Sequence, residues 1–205
     1  MNPNQIVYSK NVVEFVTVAN EFSASIENVG KQSVEENLQK LQKLLPLLYL
    51  KAAMLPKTER ILEEELEKYI SELDYNMLHQ KWLQQLNEHD SFYEVFDPSI
   101  QFGHETVTAS ISENLLDIYQ DLKNFLIAYS IGNEEVMNDA LAECNEHYGE
   151  FWGQQLVNVM RAVHMLVYSN PDFEKENNND QVIPGQGNPE WLDKFWGTDE
   201  DTDDV

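Results

Sequence analysis

The sequence predicts an all-α fold, an antiparallel bundle of five to six helices with an acidic, partly disordered C-terminal arm. Three observations point there. Apolar residues recur at three-and-four spacing over most of the first 169 residues, the spacing that gathers them on one helix face. The periodic runs open on capping patterns and close at Gly or Pro. Beyond Pro171 the text changes to ENNND, PGQGNP and DEDTDD, a composition that cannot offset its ordering entropy by burial. The division expected is residues 1–169 as the bundle and 170–205 as the arm, with an aromatic clip at 188–197.

Taken in order, Val12, Phe15, Val16, Ala19, Phe22 and Ile26 form the first stripe, which Gly30 ends. Ser33 and Glu36 make a capping box, in which each side chain satisfies a backbone donor at the helix start, and Leu38, Leu41, Leu44 and Leu45 continue the stripe. Pro46 is expected to kink or restart that helix. The part from Leu47 to Leu55 is apolar almost all round, which suits a central helix covered by others.

Pro56 closes that helix, and Thr58 is expected to open an acidic one along Ile61, Leu62, Leu66, Tyr69, Ile70, Leu73, Leu78 and Leu83. From Asn87 to Thr108 periodicity fails, and Asp97-Pro98 and Gly103 mark a packed loop or a strand-like excursion. Ser110 and Glu113 repeat the capping pattern before Leu116, Ile118, Tyr119, Leu122, Phe125 and Leu126, and Gly132 stops that helix. Asn133 followed by Glu134 and Glu135 starts the last stripe, since acids favour the positive end of a helix dipole. The stripe Met137, Leu141, Cys144, Tyr148, Trp152, Leu156, Met160, Val163 and Val167 runs through Gly149 and Gly153 as one long helix or two nearly coaxial ones.

The stretches FVTVANEF at Phe15, LPLLYLKA at Leu45 and SISENLLDIYQDLKNF at Ser110, followed by GNEEVMNDALAEC and FWGQQLVN, resemble a bacterial family catalogued as domain of unknown function 5063. The resemblance extends to about Tyr168. It implies a helical domain and carries no assigned chemistry.

Charge narrows the partners. A net charge of -24 makes direct binding to nucleic acid phosphates or an anionic membrane surface unfavourable, and leaves basic or apolar proteins as the partners to expect. No apolar run reaches the roughly 20 residues that span a bilayer. The single Cys144 cannot form an intramolecular disulfide, and MNPNQIVYSKNVVEF has no secretory organisation, so a cytoplasmic location is expected.

Two constellations could carry chemistry. Glu143, His147 and Glu150 share a helix face at i, i+4 and i+7 with Cys144 beside them, a donor set suited to a divalent first-row metal. Glu113, Asp117 and Asp121 line another helix and could supply a carboxylate pair for acid and base work. The repeated Glu-x-x-His pairs of di-metal bundles are missing, and exposed Glu and His at this spacing usually form a solvated face. His164, between Val163 and Met165, reads as a core imidazole before it reads as catalytic. The function expected is therefore a non-catalytic interaction or regulatory module with no cofactor. The alternative is a metal-dependent or carboxylate-based bundle enzyme in which the row Glu113, Asp117 and Asp121 faces Glu143 and His147 across the bundle. In the arm, Trp191, Leu192, Phe195 and Trp196 would fall on one side of a short helix, a partner-binding anchor or a clip onto the protein's own bundle.

Overall fold

The computed structural model describes residues 3–94, 107–169, 171 and 173. Within them a one-turn helix α1 (Pro3–Val7) precedes the bundle helices α2 (Lys10–Glu27), α3 (Val34–Ala53), α4 (Glu72–Leu86), α5 (Ile111–Ser130), α6 (Glu134–His147) and α7 (Gly153–Ser169). The fold is the all-α bundle expected from the periodicity.

At Ser33, Asn133, Gly30 and Gly132 the local punctuation works as read. Ser33 Oγ accepts the Glu36 N–H at 3.2 Å while Glu36 Oε2 accepts the Ser33 N–H, a complete capping box. Asn133 caps α6 by accepting from Glu135 and Val136. Gly30 and Gly132 take φ of 83° and 78°, the left-handed turn in which a Cβ is strained. Ser110 caps α5 by accepting from Glu113, and its own hydroxyl donates to buried Asp90, whose other oxygen accepts the Ser112 N–H at 2.7 Å. That carboxylate stabilises the positive end of α5.

The central helix is α5, which packs against α2, α4, α6 and α7. The core is built from Phe15, Phe22, Leu41, Leu45, Leu115, Leu122, Trp152 and Leu156, with Trp82 of α4 donating its indole N–H to the Ile26 carbonyl at 3.1 Å. Three expectations are corrected. Pro46 sits inside one continuous α3, and that helix is not central, because Leu47, Leu50 and Met54 are exposed. The irregular region after Asn87 does contain the strand-like excursion, one of its two expected forms, as a small antiparallel pair, β1 (Ser91–Tyr93) with β2 (Thr108–Ser110), in register Phe92 to Ala109. The largest correction concerns residues 55–70, which are not helical; α4 begins only at Glu72, with Ser71 and Asp74 as its capping box.

Residues 55–70 instead form an extended strap whose backbone is bonded to polar side chains of α5 and α6. Asp139 is fully buried, and its two oxygens accept the N–H groups of Ile61 and Leu62 at 2.7 and 2.8 Å. Asn138 donates to the Glu59 carbonyl and accepts from Thr58. Asn124 Oδ1 accepts the N–H groups of Tyr69 and Ile70 at 2.8 and 3.1 Å. A stretch with helical spacing is thus drawn out because buried acceptors on the bundle satisfy its backbone donors.

Between α6 and α7 the helix does not break. Tyr148–Trp152 form a π turn, so α6, the turn and α7 run as one helix with a bulge, in keeping with the unbroken apolar stripe. The aromatic clip Trp191, Leu192, Phe195 and Trp196 lies outside the described residues.

Candidate functional site

The expected titratable residues come together only in part. Asp121 on α5 and His147 on α6 meet across the bundle, His147 Nδ1 lying 3.0 Å from Asp121 Oδ1. Glu143, one turn earlier on α6, is taken by the ammonium of Lys68, which arrives on the strap. With Leu66, Asn124, Phe125 and Cys144 they line a cavity of about 20 Å3, room for roughly one water molecule and no substrate. Glu150 is exposed on the π turn and takes no part. Among the described residues no group of three His, Cys, Asp or Glu side chains is arranged to hold a metal ion.

The acidic row of α5 is stitched to its neighbours. Asp117 accepts the Tyr75 hydroxyl at 2.7 Å and the Gln155 amide at 2.9 Å, tying α4 and α7 to α5. Burial, and then the Asp117 carboxylate, push the Tyr75 phenol far above its ordinary range, so Tyr75 stays a donor. Tyr119 is raised in the same way by burial and by Glu27, which also pairs with Lys123 at 2.7 Å. Glu113 is exposed. Of the carboxylates of the row that are drawn inward, Asp117 accepts from two donors and Asp121 faces the His147 ring.

His164 is not the core imidazole its apolar neighbours suggest. It is exposed and rests against Tyr168, with ring centroids 4.7 Å apart. It lies outside the cavity lined by Asp121 and His147.

Cys144 is buried beside the cavity, and burial followed by the field of Asp121 pushes its thiol well above the ordinary range. A thiolate is the reactive form, so labelling of Cys144 by Ellman's reagent in the folded protein is expected to run at least about a hundredfold slower than in urea. Labelling within minutes at neutral pH would show that this wall of the cavity opens.

A wider groove of about 610 Å3 lies between the end of α3, the start of the strap and α6. Lys57 and Arg60 on its walls are offset by Glu59 and Glu146, and it holds no buried titratable group. Reasoning from helix faces alone could not find it, because one wall is the strap.

No helix among the described residues is long and apolar enough to cross a membrane. No curated protein matches the chain. A crystal structure of protein BF1032 from Bacteroides fragilis, a structural-genomics target, is similar over 82% of this chain and 98% of that one, with 43% sequence identity and a TM-score of 0.72. The family model described as a domain of unknown function matches residues 6–169, which is the helical bundle without the arm. This chain therefore belongs to the DUF5063 family.

Proposed function

We propose that the protein is a non-catalytic, cytoplasmic interaction module that recognises a basic protein surface with the acidic tip of its strap. The observation that carries this reading is the anchoring of the strap on both sides of one acidic run. Ile61 and Leu62 are held by Asp139 and Tyr69 and Ile70 by Asn124, and between them Glu63, Glu64, Glu65 and Glu67 are all exposed. Leu66 turns inward to the cavity, and Lys68 is occupied by Glu143. The four remaining carboxylates are presented on a backbone whose ordering cost is already met in the free protein, which favours affinity for a complementary charge array. A cytoplasmic location fits a chain whose single cysteine is a buried free thiol.

The test is binding of a fluorescent lysine- and arginine-rich peptide at low and moderate salt. Glu63→Gln, Glu64→Gln, Glu65→Gln and Glu67→Gln combined are expected to raise Kd about tenfold or more, and Asp→Asn changes at four arm acids to raise it far less. Equal losses from the two sets would mean that only net charge matters, and the strap reading would be wrong.

A further inference from the structure

We infer that the aromatic clip of the arm docks in cis on the solvent face of α3. That face is unusual for this molecule. Lys43, Leu47, Leu50 and Met54 fall at i, i+4, i+7 and i+11, so they form one stripe along the helix. Leu47, Leu50 and Met54 are 41%, 52% and 44% exposed, on the side opposite buried Leu41, Leu45, Leu48 and Ala52. An exposed apolar stripe of this kind normally has an occupant.

Charge selects the arm. In a chain of net charge -24, residues 37–57 contain four lysines and no acid. Lys40 and Lys51 are paired with Glu21 and Glu14 of α2, whereas Lys43 has no carboxylate within salt-bridge distance among the described residues. The arm from residue 170 carries eleven acids against two lysines, and Asp199 to Asp204 begin three residues beyond Trp196. A clip seated on Leu47, Leu50 and Met54 places those acids within reach of Lys43 and Lys57. A second exposed apolar pair, Leu73 and Met77 on α4, stands beside Glu72 and Asp74, which repel the same tail.

Length agrees as well. Phe173 is partly buried against the first turns of α3, near Leu38 and Gln39, so the arm leaves the bundle at that end. At 1.5 Å per residue, Leu50 and Met54 lie about 18 and 24 Å further along the helix. Eighteen positions separate Phe173 from Trp191, and a coil of that length has a root-mean-square reach of roughly 23 Å. A tether whose reach matches the span gives the highest effective concentration. The clip contributes apolar bulk through Trp191, Leu192, Phe195 and Trp196, so the contact combines aromatic burial with charge pairing at its edge. This inference does not depend on the strap's partner.

Tryptophan quenching tests it in the full chain. Trp82 and Trp152 are fully buried, so the response to acrylamide reports Trp191 and Trp196. The unmodified protein is expected to show four shielded indoles. Leu50→Asp with Met54→Asp, both at solvent-facing positions that leave the core intact, is expected to raise the quenching constant at least twofold. Leu73→Asp with Met77→Asp is expected to leave it unchanged. The inference is overturned if the unmodified protein already quenches like free indole, if the α3 variant does not change it, or if the α4 variant raises it instead. Shielding that disappears on dilution together with a dimer mass would also overturn it, since the occupant would then be a second copy.

Discussion

Asp139→Ala is expected to lower the unfolding free energy by about 2–4 kcal/mol and to release the strap before the bundle unfolds. Asp139 is fully buried, with no cation in salt-bridge contact among the described residues, and is held by three donors: the Ile61 and Leu62 backbone N–H groups and, at 3.1 Å, the Asn138 amide. Removing a buried charge is by itself favourable, but removing only the acceptor strands its donors, and the second effect is the larger. Once Ile61 and Leu62 let go, Leu66, Tyr69 and Ile70 lose part of their packing on the core. Trypsin should therefore cut at Lys57, Arg60 and Lys68 about tenfold faster or more than in the parent, while the melting temperature falls by roughly 4–16 °C for a chain of this size. Asp139→Asn, which keeps one acceptor oxygen, should lose about half as much. Asn124→Ala frees the other end of the same strap, so its effect should not add independently to that of Asp139→Ala. Unchanged trypsin rates and a stability within about 0.5 kcal/mol of the parent would show that the strap is held by something other than these acceptors.

That strap is also where sequence and structure part. Ile61, Leu62, Leu66, Tyr69 and Ile70 sit at helical spacing among strong helix formers, and local propensity alone favours α-helix there. What outweighs it is a set of acceptors from far along the chain, Asn124, Asn138 and Asp139, which meet the strap only after α5 and α6 have packed. No local pattern announces such a contact. Helix ends, by contrast, are set within four residues, which is why Ser33, Asn133, Gly30 and Gly132 are legible in the text. The candidate site divides in the same way. The meeting of Asp121 with His147 follows from two helix faces packing together, whereas the arrival of Lys68 at Glu143 depends on the strap. His164 misleads for a simpler reason: its apolar neighbours Val163 and Met165 lie about 100° to either side of it on the helix, and one exposed position between two buried ones is ordinary at that spacing.

Gly153→Ala should be the other severe change, at about 3 kcal/mol or more, because it acts on the π turn. The Gly153 N–H donates to the Tyr148 carbonyl, the five-residue step of a π turn. A Cβ added at Gly153 would stand 2.3 Å from that carbonyl oxygen and 3.0 Å from the Tyr148 ring. The ring cannot yield cheaply, since it lies 4.7 Å from Trp152 and 5.7 Å from Tyr49, and Trp152 is fully buried. Accommodation requires the carbonyl to move and the bulge to be lost. The bulge is what keeps both halves of the helix in register with one core. Cys144, Tyr148, Trp152, Leu156 and Met160 follow in four consecutive steps of four residues, and in an unbroken α-helix each such step drifts about 40° around the axis. A wider turn absorbs the drift, so the run of fours is itself a sequence signature of the π turn. Gly149 provides the contrast. A Cβ there meets no heavy atom within 4 Å, so Gly149→Ala should be neutral or stabilise by up to about 1 kcal/mol through helix propensity alone. Urea unfolding of the two variants, with near-ultraviolet circular dichroism to follow Trp152, separates the cases. A Gly153→Ala protein as stable as its Gly149→Ala counterpart would show that the α6 to α7 junction needs no π turn to hold its register.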